Sequence, residues 1–191
     1  MKQPTNEKEA TEILRDTIQQ FLQNNSKLKN KYDIKIGYNV CYKAKINGYT
    51  KDGEAIFEPS LGKKYKYQTD LCILRIEKNN DYEIFIPEII IEVKFQSYTS
   101  HDIITYSEKA LNHKELHPYL KYGFIVINPE DKKLQPRFFA HNYGFDFAYL
   151  LNLCETDTSI FLKEIIAKIL DFNTQESNKE IKGFINQENL L

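Results

Sequence analysis

The segment YEIFIPEIIIEVKFQ, residues 82–96, constrains this chain more than any other. Ile89, Ile90 and Ile91 in a row leave no polar face, which marks a strand covered on both sides. A second continuous apolar run, YGFIVINP at residues 122–129, follows a helical stretch, SHDIITYSEKALNHKELH at residues 100–117. A buried strand, a helix and another buried strand predict a right-handed crossover, with the two strands parallel. The expected fold class is therefore α/β, with a central mixed β-sheet flanked by helices.

The rest of the chain fits around that unit. Residues 5–23 carry Ala10, Ile13, Leu14, Ile18, Phe21 and Leu22 at helical spacing, with Thr5 or Asn6 as cap. Residues 33–46 and 65–78 alternate and are rich in β formers, so each reads as a strand. Between them, residues 47–64 hold three glycines and a proline and read as a loop or hairpin insertion. The turn at KNND predicts antiparallel pairing of the strands on either side. Ser100 is the expected cap of the central helix and Pro118 its stop. LQPRFFAH reads as a further strand, while GFDFAYLLNL and SIFLKEIIAKILDF read as helices. The expectation is one domain over residues 1–172 and a polar tail over 173–191.

Composition narrows the class without naming a function. Hydrophobic residues make up 41% and charged residues 28%, a globular balance. The net charge of −1 supplies no overall basic field, although lysines cluster in SKLKNKYDIK and GKKYKY. Cys41, Cys72 and Cys154 are widely spaced and odd in number, as reduced thiols would be. The polar first residues and the short apolar runs predict a soluble cytoplasmic protein with no membrane partner.

Against this background the charges of Glu92 and Lys94 stand out. An acid followed two residues later by Lys also occurs at Asp33–Lys35, Glu130–Lys132, Asp131–Lys133 and Glu180–Lys182, so the triplet alone decides nothing. Only Glu92–Lys94 falls where burial is expected. Period 2 puts Ile89, Ile91, Val93 and Phe95 on one face, and Ile90, Glu92, Lys94 and Gln96 on the other. A buried carboxylate needs a cation, either Lys94 or a metal ion. Asp70, in the preceding strand, lies at a similar distance from the KNND turn, and hairpin pairing brings it near Glu92.

Asp70, then Glu92-Val93-Lys94 on the next strand, then a helix and an apolar strand, resembles the PD-(D/E)XK nuclease superfamily. The likeness spans the first helix to about Asn128 and implies a restriction-endonuclease-like core. It implies that Asp70 and Glu92 hold Mg²⁺ (Mn²⁺ substituting), with the Val93 backbone carbonyl helping and Lys94 positioning or activating water. Many members add an acid from the first helix; Glu9 fits best, with Glu7 and Glu12 as rivals. Gln96, His101 and Lys109 become candidates for nucleic-acid contact. The proline that precedes the first Asp in the family is Thr69 here. The implied activity is a metal-dependent endonuclease hydrolysing phosphodiester bonds of double-stranded DNA, as a type II restriction enzyme does, acting as a homodimer. The alternative is an inactive nuclease-fold module that binds nucleic acid or a protein partner.

Two other patterns point to weaker candidates. His113 and His117 have the helical spacing of zinc ligands. Lys114 occupies the position where the zincin pattern needs Glu, so a polar helix end is the simpler reading. Cys72 and Cys154 have no His nearby in sequence to activate a thiol.

Overall fold

The computed structural model describes residues 3–58, 64–79, 82–128, 134–153 and 155–171. The tip of the KNND turn, the acid–Lys triplets at 130–133 and 180–182, Cys154 and the polar tail lie outside these residues.

Helix α1 spans Glu7–Asn24, and of the two candidate caps it uses Asn6, whose side chain accepts from the Glu9 N–H. Seven strands follow: β1 (Tyr32–Ile36), β2 (Asn39–Cys41), β3 (Ile46–Tyr49), β4 (Ala55–Phe57), β5 (Lys66–Gln68), β6 (Leu71–Asn79) and β7 (Tyr82–Phe95). Then come helix α2 (Ser100–Leu116), β8 (Lys121–Ile127), the short helix α3 (Pro136–His141) and β9 (Phe147–Leu151). The last described element is α4 (Glu155–Ile160), continued by a π-helical segment at Phe161–Ile166 and a final turn over 167–171.

The main sheet has the order β1-β6-β7-β8-β9. β1, β6 and β7 pair antiparallel, whereas β7, β8 and β9 run parallel, as the crossover requires. One face packs Leu71, Ile73, Ile89, Ile91 and Val93 against α1 and the C-terminal helix. The other packs Cys72, Leu74, Ile90, Tyr122 and Phe124 against α2 and α3. The chain is thus a three-layer α/β structure built on a five-stranded mixed sheet. Among the described residues no helix is long and apolar enough to cross a membrane.

Several expectations need correcting. The two long strands read at 33–46 and 65–78 are each broken. Gly37, at φ +65°, takes a left-handed conformation that ends β1, and the chain leaves for a second, two-stranded sheet of β2 and β5. The second strand breaks at Thr69 and Asp70, between β5 and β6. PRFFAH is a helix, with Pro136 in the first turn, where its missing N–H costs nothing. FAYLL is a strand, not a helix. Phe147, Tyr149 and Leu151 face one core while Ala148 and Leu150 face the other, a period of 2 hidden in an all-apolar run. The cap of α2 is Thr99 rather than Ser100, in a capping box with Asp102.

One irregularity sets the register of the central hairpin. Pairing runs from Asn79↔Tyr82 to Leu74↔Pro87 and resumes at Ile73↔Ile89, so Glu88 is the extra residue of a β-bulge. Beyond the bulge the ladder continues to Leu71↔Ile91.

Candidate active site

One step past Leu71↔Ile91, Asp70 lies across from Glu92. Without the bulge it would oppose Ile91 instead. Asp70 Oδ2 accepts the Val93 N–H at 2.8 Å, which ties the break between β5 and β6 to β7. Glu92 is only 2% exposed, and its Oε1 accepts the Tyr122 hydroxyl at 2.7 Å. Burial first, and then the Asp70 charge, push the Glu92 carboxyl up to about 8, against the opposing pull of Tyr122 and Lys109. At neutral pH Glu92 therefore keeps its proton, and the two acids hold less negative charge than two carboxylates would.

Lys94 does not close on Glu92. Its Nζ lies 3.3 and 3.4 Å from the two carboxylate oxygens of Glu7 in the first turn of α1. It also sits 5.1 Å from the ring centroid of Tyr106 in α2. Burial works against the Lys94 charge, but Tyr106 and Glu7 outweigh it and hold the pKa above the ordinary lysine value. Lys94 is thus an ammonium ion, a source of fixed positive charge rather than a base.

A cleft of about 520 Å³ opens between the first turns of α1 and the sites where both strands break. Glu7, Thr11 and Glu12 line it from the helix, with Gly37, Gln68, Thr69 and Asp70 opposite. The expected first-helix ligand, Glu9, is not part of this wall. Its Oε2 is bonded to the Thr5 N–H and hydroxyl, each at 2.9 Å, because it sits on the capping side of the first turn. Of the first-helix acids, Glu7 and Glu12 line the cleft, and Glu7 also pairs with Lys94. Among the described residues no three His, Cys, Asp or Glu side chains cluster as a ready metal cage. Two adjoining carboxyl groups still suit Mg²⁺, which takes hard oxygen donors and keeps much of its water.

The remaining candidates separate. Lys109 is drawn to the site: its Nζ stands 4.6 Å from the Tyr106 centroid, and its charge favours ionised Glu92. Gln96 turns away. Its φ of +64° breaks the strand alternation that would have kept it on the polar face. It lines instead a separate cavity of about 130 Å³ with Tyr98, Asn128 and Arg137. His101 is exposed in the first turn of α2, with its Nε2 3.4 Å from the Thr105 hydroxyl oxygen.

His113 and His117 are neither a zinc pair nor a polar helix end. Their Nε2 atoms lie 3.1 and 3.2 Å from the carbonyl oxygens of Val40 and Cys41, pinning β2 to α2. Burial pushes His113 down to about 4, so the ring is neutral and donates. Cys72 is buried, and that burial pushes its thiol well up, away from nucleophilic use.

Sequence reasoning missed two tyrosines. Tyr122 orients Glu92 and is itself stacked on His113, with ring centroids 5.7 Å apart. Its hydroxyl is an exception in the otherwise apolar run YGFIVI, and that was the available signal. Tyr106 has the ammonium groups of both Lys94 and Lys109 near its ring, which helical spacing alone could not reveal. No protein-family model matches this chain, and no curated protein sequence matches it.

Proposed function

We propose that this chain is a metal-dependent endodeoxyribonuclease of the PD-(D/E)XK type, with a restriction-endonuclease-like core. One observation carries the reading: a buried Glu92 faces a second acid, Asp70, while the nearest lysine on its own strand is turned to Glu7. Raised carboxyl groups paired in this way have functional sites as their common setting. The order of elements supports the same reading. An antiparallel hairpin carries Asp70 and Glu92-Val93-Lys94, and a helix then leads to a parallel strand.

In this proposal Asp70 and Glu92 hold Mg²⁺, with the Val93 carbonyl as a further oxygen donor. The ion, when bound, neutralises phosphoryl charge and lowers the pKa of a coordinated water. Glu92 gives up its proton as the ion binds. Tyr122 keeps the Glu92 carboxylate in one orientation through its hydroxyl. Lys94, fixed as an ammonium ion, adds positive charge beside the phosphate and orients the attacking water. Cutting both strands of a duplex with one such site per chain calls for a homodimer.

A plasmid-cleavage assay tests this. Wild-type protein should nick or linearise supercoiled DNA in Mg²⁺ and not in EDTA, and Glu92→Ala and Lys94→Ala should both be inactive. Undiminished cutting by either variant would sink the assignment. The Lys94–Glu7 ion pair favours a second reading, an inactive module that binds nucleic acid or a protein. Calorimetry separates the two: such a module takes up neither Mg²⁺ nor Mn²⁺, whereas the enzyme binds metal and loses affinity on Asp70→Asn.

A further inference from the structure

The β3–β4 ribbon is built unlike the rest of the molecule. Of its seven strand residues only Gly48 is not exposed, and among the described residues the two strands pair only with each other. Tyr49 is 66% and Phe57 58% exposed, and Ile46 and Ile56 are nearly as open. An isolated two-stranded ribbon is marginal in water, and leaving its large side chains outside buries nothing to hold it. Such a ribbon is shaped for something outside the chain.

Its base joins the acidic pair through a line of rings and ammonium groups. Starting at the site, Lys94 and Lys109 both stand close to the Tyr106 ring, at 5.1 and 4.6 Å from its centroid. Lys109 also stands 5.6 Å from the Tyr67 centroid. Tyr67 stacks on Tyr42 at 4.1 Å, and Tyr42 meets Tyr65 edge-on at 6.1 Å. Tyr65 in turn carries Lys43 at 5.3 Å and Lys64 at 5.4 Å, at the foot of the ribbon. All four tyrosines are half-buried, and Lys43 and Lys64 are exposed. The basic surface therefore extends from the candidate active site to the ribbon, although the net charge of the chain is −1.

We propose that this Lys–Tyr track and the β3–β4 ribbon form the surface that grips duplex DNA and leads one phosphate backbone to Asp70 and Glu92. It rests on the hydrolytic reading of the acidic pair for its direction, but binding itself needs no cleavage. Ammonium groups along one path match successive phosphates. A two-stranded ribbon fits a DNA groove, and exposed apolar side chains can wedge against bases there. Lys43, Lys45, Lys64 and Lys66 at the foot outnumber the one acid there, Glu58, and favour a polyanion, whereas the tip sets Lys51 beside Asp52 and Glu54.

The test is binding of a fluorescent 30-base-pair duplex, and of its single strand, to the full chain in EDTA across a salt series. Lys43→Ala with Lys64→Ala should weaken duplex binding about tenfold and lower the log–log salt slope by about 2. Tyr49→Ser with Phe57→Ser should weaken it several-fold with the slope unchanged, since no charge is lost. These four side chains are exposed, so circular dichroism melts should stay near wild type. The proposal is overturned if both double variants bind as wild type, or if the single strand binds more tightly than the duplex. Loss of self-association in sedimentation without loss of DNA binding would assign the ribbon to a second copy instead. A ribbon-dependent duplex complex that never cuts in Mg²⁺ would refute the nuclease and leave this surface standing. Normal cutting and binding by both double variants would do the reverse.

Discussion

Glu88 and Glu92 stand four residues apart on β7, and both are almost wholly buried, at 1% and 2% exposure. Their surroundings are opposite. Glu88 Oε1 lies 2.5 Å from the Arg75 Nε, and Arg75 also meets Glu77. Glu92 meets an acid and a phenol, while Lys94 is held by Glu7. A fold can compensate a buried carboxylate by giving it an arginine, and it does so at Glu88. The same strand leaves Glu92 without that solution, and on the proposed reading this contrast separates a structural ion pair from a metal-binding carboxyl group.

The largest expected effect tests the functional half of this contrast. Glu92→Gln should lower Mg²⁺-dependent cleavage about 10³-fold, in line with losing a group that acts at the reacting centre. Glu88→Gln should cut at close to the wild-type rate. Equal loss in both, followed by gel assay under single-turnover conditions, would erase the distinction.

Stability should reverse the ranking. Glu88→Ala removes one partner of a buried pair and should cost about 3 kcal/mol. That is the low end for such a loss, because Arg75 is partly exposed and retains Glu77. Urea unfolding of the metal-free protein measures it.

The pH dependence of stability sharpens the difference further. The folded-state pKa of Glu92 is raised from 4.5 to about 8. Its stabilising contribution is full below about pH 4.5 and is lost as pH rises toward 8. His113 has the opposite sign: lowered from 6.5 to about 4, its contribution is lost as pH falls through that window. His117 is shifted in the same direction as His113. Between about 4.5 and 6.5 the Glu92 and His113 slopes offset one another, and His117 adds a slope of the same sign as His113. From 6.5 to 8 only the Glu92 slope remains, and stability in EDTA should fall by about 1.4 kcal/mol per pH unit. Glu92→Gln should flatten that fall, and a denaturation series at several pH values would show it.

The smallest effect concerns the second layer. Tyr122→Phe deletes the hydroxyl that favours ionised Glu92, so the Glu92 pKa should climb further and stability fall by about 1 kcal/mol. Apparent Mn²⁺ affinity at pH 7 should drop several-fold by calorimetry, because more Glu92 must be deprotonated. An unchanged affinity would remove Tyr122 from the site.

Much of this was legible before any coordinates. Apolar runs at 89–91 and 122–127, with a helix between, dictate two buried parallel strands, because period and length leave few alternatives. Period 2 along β7 placed Glu92 on one face and Val93 on the other, and both are found there. Asp70 was found by counting back from the turn. Short apolar runs were not legible: FAYLL reads equally as helix or strand until its neighbours are known, and PRFFAH as strand or helix.

The tertiary structure alone decided how the charges are partnered. Local spacing makes Lys94 the natural partner of Glu92, yet Glu7 comes from the first turn of α1, 87 residues away. The bulge at Glu88 shifts the β6–β7 register by one and so sets Asp70 against Glu92 rather than Ile91. Gly37 and the break at Thr69 and Asp70 divert two strands into a second sheet and open the cleft. Hydrophobic period is a property of neighbours along the chain, so the sequence carries it. Ion pairs, register shifts and the exposure of a ribbon depend on which distant segments come to rest together, and only the packed molecule holds that information.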